Sequence, residues 1–205
     1  MPLLAVANTK GGQGKTTWAC TLASFLDAEL LDANHENGDA EAWAMRAKHP
    51  CRFIYPDRLE ELDHLSRKPS WTVVDCPPWD GRETRTALAL SQVVLIPVGT
   101  GYQDLRGLGR MAKLVDDARA NANPRLKAAI LGNGRRLVAF SETWGTALEA
   151  YHAPKQGTYF LGAMPQRQAI VDAFGDGLPA HHASQPAARE CKEILDRFAA
   201  LLKTK

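Results

Sequence analysis

The sequence predicts an α/β protein in which a doubly wound, mostly parallel sheet is flanked by helices. Short, nearly continuous apolar runs alternate with longer helical stretches, and a glycine-rich loop follows the first run directly. Near-continuous apolar runs are typical of strands buried on both faces, as the strands of a parallel sheet are. The length of 205 residues suits one α/β domain, so we expect a single P-loop-type domain over 1–205.

Seven apolar runs are predicted as strands, namely Leu3–Ala7, Glu29–Leu31, Cys51–Tyr55, Trp71–Val74, Val93–Val98, Leu126–Leu131 and Tyr159–Leu161. The predicted helices lie between or after them, at Lys15–Leu26, Ala40–Lys48, Leu59–Arg67, Arg82–Leu90, Gln103–Ala120, Ser141–Tyr151, Arg167–Phe174 and Ala187–Leu202. Asp57 is expected to cap the third helix, with Glu60 completing a capping box.

Composition excludes several function classes. The net charge is only +2, so any binding of nucleic acid must depend on a local cluster of cations and not on a globally basic surface. No apolar run approaches the roughly 18 residues that a membrane-spanning helix needs, and no signal peptide is recognisable. The four cysteines are scattered without a CxxC spacing, so we expect reduced thiols and no zinc site.

Residues 8–17 read Asn-Thr-Lys-Gly-Gly-Gln-Gly-Lys-Thr-Thr, directly after the first predicted strand. The glycines allow consecutive backbone amides to point at one anion, and the following helix adds its positive N-terminal end. Lys15 is expected to reach the β- and γ-phosphates, and the Thr16 hydroxyl to bind Mg²⁺. The sequence therefore predicts binding of ATP or ADP with Mg²⁺ by a phosphate loop of Lys10, Gly11, Gly12, Gln13, Gly14, Lys15, Thr16 and Thr17.

This loop departs from the usual GxxxxGK[ST] pattern, because Thr9 replaces the first glycine and Lys10 supplies a second lysine. The string KGGxGKTT resembles the deviant Walker A motif of the ParA/MinD family of P-loop ATPases. Three further strings are similar to that family, and to small plasmid-partition ParA proteins in particular: 73–78 as Walker B and switch II, 95–98 followed by Asp104-Leu105, and 167–178 as the tail.

The resemblance implies roles for individual residues. Lys10 would cross a dimer interface to the partner's nucleotide, and Asp75 would hold Mg²⁺ through a water. The family's DxDPQ string is matched at Asp32, but Asn34 replaces the second acid. An amide can orient a water and cannot accept its proton, so slow hydrolysis is expected, with Asn34 or Glu36 orienting the water. The implied catalytic set is Lys10, Lys15, Asn34 and Asp75, and the implied metal set is Thr16, Asp32 and Asp75.

Partners are implied by the same resemblance: an ATP-dependent homodimer, DNA bound without sequence preference, and a ParB-like centromere-binding adaptor, in a bacterial cytoplasm and on the nucleoid when ATP is bound. Asn133 and Pro165 lie where family members place adenine-contacting groups, although Asn133-Gly134 is equally a plain turn signal. The cations considered for DNA binding are Arg135, Arg136, Arg167, Arg189 and Lys192, with Lys203 and Lys205 near the end of the chain.

The expected function is ATP-driven segregation or positioning of plasmid or chromosomal DNA. One alternative is a MinD-like membrane-associated ATPase, because 191–205 place Ile194, Leu195, Phe198, Leu201 and Leu202 on one helical face; docking of that face on the protein's own core is the favoured interpretation. A second alternative is an ATP-gated binding module that hydrolyses ATP very slowly. A metabolic or metal-cluster relative ranks low, since no CxxC is present.

Overall fold

A seven-stranded sheet forms the centre of the protein. The structure is a computed structural model that describes residues 3–34, 37–99, 101–135 and 157–204. Neighbouring strands are all parallel, in the order β3-β2-β4-β1-β5-β6-β7, which confirms the predicted sheet. Numbered along the chain, the strands are β1 (Leu3–Val6), β2 (Glu29–Asp32), β3 (Cys51–Phe53), β4 (Thr72–Asp75), β5 (Ser91–Val98), β6 (Lys127–Arg135) and β7 (Thr158–Pro165).

In the part of the chain that the structure describes, five helices connect successive strands from β1 to β6, and two more follow β7. The helices in the described ranges are α1 (Lys15–Leu26), α2 (Asp39–Ala47), α3 (Glu60–Ser66), α4 (Arg82–Leu90), α5 (Tyr102–Asn121), α6 (Gln168–Gly175) and α7 (Ala187–Lys203). Two short 3₁₀ helices, Pro56–Arg58 and Ala180–His182, complete the pattern there. The helix predicted at 141–151 lies outside the described residues.

The start of α3 differs from the prediction. Asp57 lies inside the 3₁₀ turn Pro56–Arg58, where the amide of Arg58 donates to the carbonyl of Tyr55 at 2.9 Å. Leu59 then occupies the N-cap position without a side-chain hydrogen bond. The predicted capping box of Asp57 and Glu60 is therefore wrong, because the proline-led turn already brings the chain into helical geometry before α3 begins.

The sheet is covered on both faces. Alternate residues of β1 show this directly, since Leu4 and Val6 belong to one buried cluster and Leu3 and Ala5 to the other. The first cluster includes residues of α1, α2, α6 and α7, and the second includes residues of α3, α4 and α5. Strand residues buried on both faces explain why the runs in the sequence are apolar without alternation.

The last helix belongs to the core. Its apolar face (Ile194, Leu195, Phe198 and Leu201) is buried against the sheet, and Leu202 is partly buried. This confirms the interpretation that the terminal amphipathic stripe docks on the protein itself, and it leaves that face unavailable to a membrane. Among the described residues, no helix combines the length and apolarity that crossing a bilayer would require.

The strand order places the site. In the sheet, β4, β2 and β3 lie on one side of β1, and β5, β6 and β7 lie on the other. The chain leaves β1 toward the first side and crosses to the second after β4, so β1 stands at the reversal of strand order. Ligands of such sheets bind outside the carboxyl ends of the strands at this reversal. The phosphate loop follows β1 there, while Asp32 and Asp75 end the paired strands β2 and β4 in direct register.

Candidate nucleotide-binding site

The phosphate loop depends on glycine at two positions. Gly12 and Gly14 have φ angles of 73° and 82°, in the left-handed region that side-chain-bearing residues resist. Gly14 also precedes α1 as its N-cap residue, and a Cβ added there would lie only 2.3 Å from Nδ2 of Asn133. The loop is thus shaped by backbone angles and by a close neighbour from β6.

We expect Gly14→Ala to abolish detectable ATP binding and to lower the melting temperature, because the methyl group meets both a forbidden φ and the Asn133 amide. Gly175→Ala, at the exposed end of α6, is the matched control. Its added Cβ would meet no atom within 4 Å. Calorimetric titration with Mg·ATP and thermal unfolding of both variants would check this; equal behaviour of the two alanines would contradict it.

Lys15 is the buried cation of the site. Its ammonium donates to the carbonyl of Lys10 at 3.1 Å, and the residue is only 6% exposed. Burial lowers the pKa of Lys15, while the nearby Asp75 and Cys76 oppose that shift. An ammonium has three donors, so this one can hold the loop and still meet a phosphate oxygen.

Asp75, which is close to Lys15, lies beside a second carboxylate, that of Asp32. The pKa of Asp75 is raised to about 7, chiefly by burial. The charge of Asp32 also raises this pKa, and a hydrogen bond from Thr16 opposes the shift. Burial likewise raises the pKa of Asp32, whose Oδ1 accepts the amide of Asn34 at 2.9 Å. Two like-charged, desolvated carboxylates side by side require a cation to be stable in their ionised forms.

Two buried carboxylate oxygens of this site have no hydrogen-bond donor among the residues that the structure describes and are free to bind a cation. Within the described ranges, Asp32 Oδ2 and Asp75 Oδ1 are buried and accept no hydrogen bond. Those ranges contain no group of three or more His, Cys, Asp or Glu side chains that could hold a metal alone, but Mg²⁺ typically takes one or two carboxylates and completes its shell with phosphates and water. The residues therefore fit Mg²⁺, which Thr16 and Asp75 would hold with Asp32 nearby, and the ion would neutralise charge on the phosphates.

Lys10 is held within its own chain. Its ammonium lies 2.5 Å from Oδ1 of Asp104, and the side chain of Lys10 is 32% exposed. Gln13 donates to the same oxygen at 3.0 Å and accepts the amide of Gly99 at 2.5 Å. The other oxygen, Oδ2, accepts the amide of Gly101 at 2.8 Å. Asp104 therefore ties the phosphate loop to the loop between β5 and α5, and these contacts hold the pKa of Asp104 below its usual range against the effect of burial.

Comparison with known proteins identifies the family. No protein-family model matches the chain. The carboxysome distribution protein A of Halothiobacillus neapolitanus is 30% identical over 182 residues, covering 82% of this chain and 83% of the relative. The chromosome-partitioning ATPase Soj of Thermus thermophilus is 25% identical and covers 96% and 95%. The chain belongs to the ParA/MinD family of ATPases.

Solved structures agree on the fold. An ATP complex of Cyanothece McdA superimposes with a TM-score of 0.75 at 15% identity, covering 100% of this chain and 98% of that one. A Borrelia burgdorferi plasmid partition protein bound to AMPPNP gives 0.69 at 17%, covering 97% and 98%, and MinD of Pyrococcus furiosus gives 0.70 at 15%, covering 98% and 99%. At these identities the likeness concerns the fold alone.

Asn34 is the residue predicted, from the family's DxDPQ string, to replace the second acid. The residue is 8% exposed, and its side-chain oxygen is buried and without a hydrogen-bond partner among the described residues. It follows Asp32 closely, so it belongs to the same edge of the sheet as the two carboxylates. His35 and Glu36 lie outside the described residues, and the predicted role of Glu36 stays a prediction.

Asn133 serves the phosphate loop in this ParA/MinD protein. Its Nδ2 donates to the carbonyl of Gln13 at 2.9 Å, and its Oδ1 accepts the indole N–H of Trp18 at 3.1 Å. It also lines a small cavity together with Pro165, so the two residues predicted to meet adenine do lie together. Trp18 was missed from the sequence, where a tryptophan in an apolar helix carries no signal beyond burial.

The cations predicted for DNA binding do not share one environment. Arg189 and Lys192 are exposed on α7, and Lys203 is exposed at its end. Arg167 is instead paired with Glu190 at 2.5 Å, and both side chains are less than a quarter exposed (23% and 22%). Arg135 ends β6, but its side chain lies outside the described part of the chain, as do Arg136 and Lys205 entirely.

Proposed function

We propose that this ParA/MinD protein is an ATP-driven switch that segregates or positions plasmid or chromosomal DNA. Mg·ATP favours a homodimer that binds DNA without sequence preference, and hydrolysis, stimulated by a ParB-like adaptor, releases the DNA. The protein would work in the bacterial cytoplasm and associate with the nucleoid when ATP is bound. The site geometry supports this proposal most directly, because the buried Lys15 is close to Asp75, and buried oxygens of Asp75 and Asp32, partnerless in the described part of the chain, belong to residues paired at the ends of neighbouring strands.

The chain's own residues account for the chemistry. The loop amides and Lys15 bind and orient the phosphates, and Thr16 and Asp75 hold the ion that accompanies them. Lys10 of one chain would reach the nucleotide of the other chain in the dimer, where its charge would offset charge that develops on a transferred phosphoryl group. Asn34 orients the attacking water without accepting its proton, which is why we propose a slow ATPase.

Turnover should depend on Asn34. We expect Asn34→Ala to reduce the single-turnover rate of ATP hydrolysis by about tenfold, the effect of losing one positioning hydrogen bond. Asn37→Ala, in the same loop and exposed, is the matched control. Glu36→Ala would be measured alongside. A rate unchanged in both the Asn34 and the Glu36 variants would remove the proposed water-positioning role.

The DNA switch is tested by binding to duplex DNA of arbitrary sequence with Mg·ATP, with Mg·ADP and without nucleotide, over a salt series. We expect DNA binding only in the presence of Mg·ATP. The affinity should fall steeply as the salt concentration rises, because each counterion released from the DNA adds to the slope of log affinity against log salt. Arg189→Glu with Lys192→Glu should weaken binding and flatten the slope. Arg125→Glu, an equal charge reversal on an exposed cation before β6, should not.

Other outcomes of that experiment contradict the DNA mechanism. Equal binding in all three nucleotide states, or none, would remove it while leaving the ATPase. A second candidate function would then gain support, namely positioning of a protein assembly, because the 30% identical relative is named for carboxysome distribution. ATP-dependent sedimentation with vesicles of anionic phospholipid would instead favour the MinD-like alternative, and turnover below detection would favour an ATP-gated binding module.

A further inference from the structure

A small cavity adjoins the phosphate loop on the side of β6 and β7. Its volume is about 140 Å³, and it lies between the start of α1 and the first turn of α6. Thr17, the last residue of the phosphate loop, lines it. A nucleotide whose phosphates occupy the loop would therefore have this space within reach of its base. The other lining residues used here are Trp18, Asn133, Gly134, Pro165 and Arg167.

The polar groups of this cavity are unequally available. The carboxamide of Asn133 is already used on both sides, by the indole of Trp18 and the carbonyl of Gln13. Arg167 alone carries a charge among the described residues that line the cavity. If Asn133 bound the base, it would have to give up hydrogen bonds that hold the phosphate loop. The contacts of Arg167 are with Glu190 and do not hold that loop.

Arg167 is fixed in orientation by one carboxylate. Its Nε and Nη2 donate to the two oxygens of Glu190 at 3.0 and 2.5 Å, which is a bidentate pair. Such a pair sets the plane of the guanidinium and offsets its charge. The contacts with Glu190 use one edge of the group, so Nη1 and the flat faces are the parts that can meet a ligand.

The offset charge argues against a DNA phosphate as the ligand. An arginine paired with a carboxylate contributes little net charge to counterion release, in contrast to the exposed Arg189 and Lys192 on α7. A guanidinium plane held against an aromatic surface is favourable, and the purine base is the flat aromatic part of the nucleotide. We infer that Arg167, oriented by Glu190, forms a wall of the base pocket and contacts the purine of the bound nucleotide. This inference rests on the proposed nucleotide-binding function.

The test separates base binding from phosphate binding. Dissociation constants of Mg·ATP, Mg·ADP and Mg·tripolyphosphate would be measured by calorimetry for the wild type, Arg167→Ala, Arg167→Lys and the matched control Arg125→Ala, at an exposed arginine. We expect Arg167→Ala to weaken ATP and ADP binding roughly 3- to 30-fold, the range of a cation–π contact, and to leave tripolyphosphate binding unchanged. Arg167→Lys, which keeps the charge and loses the plane, should lie between, and Arg125→Ala should match the wild type.

Each remaining outcome has a defined meaning. Parallel losses for ATP and tripolyphosphate would overturn the inference, since they would indicate a role in holding the fold. Unchanged ATP binding with weakened DNA binding would overturn it in favour of a DNA contact. If Arg167→Ala does not fold, the comparison of ATP and ADP binding with tripolyphosphate binding is made with Arg167→Lys alone. If the wild type binds tripolyphosphate but neither ATP nor ADP, both the proposed function and the inference about Arg167 are wrong. If every variant binds ATP as tightly as the wild type, only the inference about Arg167 is wrong.

Discussion

Lys10→Gln is expected to lower ATP turnover by a factor of about 10³ or more, the range found when a cation that stabilises phosphoryl transfer is removed. The neutral side chain keeps a hydrogen-bonding end for Asp104, so the loop should stay folded and the affinity for Mg·ATP should change only slightly. Steady-state phosphate release at saturating ATP would measure the loss. Lys113→Gln, an exposed cation on α5, is the matched control.

Mixing two inactive variants tests whether Lys10 acts across a dimer. In a mixed pair of Lys10→Gln and Asp75→Asn chains, the site with an intact Asp75 receives Lys10 from its partner. Random pairing at equal amounts should therefore restore about a quarter of the wild-type rate, since half of the twofold-symmetric pairs are mixed and each has one working site. A mixture as inactive as its components would mean that Lys10 serves its own chain, where Asp104 holds it in this structure.

Asp75→Asn is expected to reduce Mg²⁺-dependent turnover by at least about 100-fold, because the charge that holds the ion is lost. The same substitution should make the ligand-free protein more stable at pH 8. Burial raises the pKa of Asp75 to about 7 in the folded state, whereas the unfolded value is about 3.9. Between these values the folded state binds more protons than the unfolded state, so stability falls as pH rises through this window and stays reduced above it.

Thermal unfolding without nucleotide at pH 5 and pH 8 would measure this effect, in which each kcal/mol corresponds to roughly 2–4 °C. The gain of Asp75→Asn over wild type should be larger at pH 8 than at pH 5, and Mg·ATP should stabilise the wild type more than the variant. The exposed Asp176→Asn is the control. A variant less stable than wild type at both pH values would contradict the assignment of a desolvated, cation-requiring carboxylate.

Most of the site residues that could be predicted from the sequence lie in short contiguous motifs. The loop from Lys10 to Thr17 is contiguous, so its glycines and its following helix are read from one short string. Asp32 and Asp75 are 43 positions apart in the printed sequence, yet parallel strands bring their ends to one edge, and the register of β2 on β4 places the two side by side. Topology alone therefore assembled the acidic pair.

Contacts between distant side chains could not be predicted in this way. Lys10 and Asp104 are separated by 94 residues, and Trp18 and Asn133 by 115, and nothing in either local pattern indicates the partner. Strand ends were also missed. β6 and β7 run on to Arg135 and Pro165, past the predicted ends Leu131 and Leu161, because the two strands continue to pair beyond the glycine that follows each predicted run. Backbone pairing between the two strands determines where they end, and this pairing cannot be inferred from hydropathy.

The pairing of Lys10 with Asp104 also bears on how readily two copies could associate. If Lys10 has to reach a partner, only molecules in which it has left Asp104 are competent. Because both copies of a dimer must be competent, the observed dimer affinity is the intrinsic affinity reduced by the square of that fraction. The side chains of Gln13 and Asp104 would then set the protein concentration at which dimers form, without altering the loop amides and Lys15 that are proposed to bind the phosphates. Natural selection could adjust that threshold to the copy number of a cargo by single changes at these two positions.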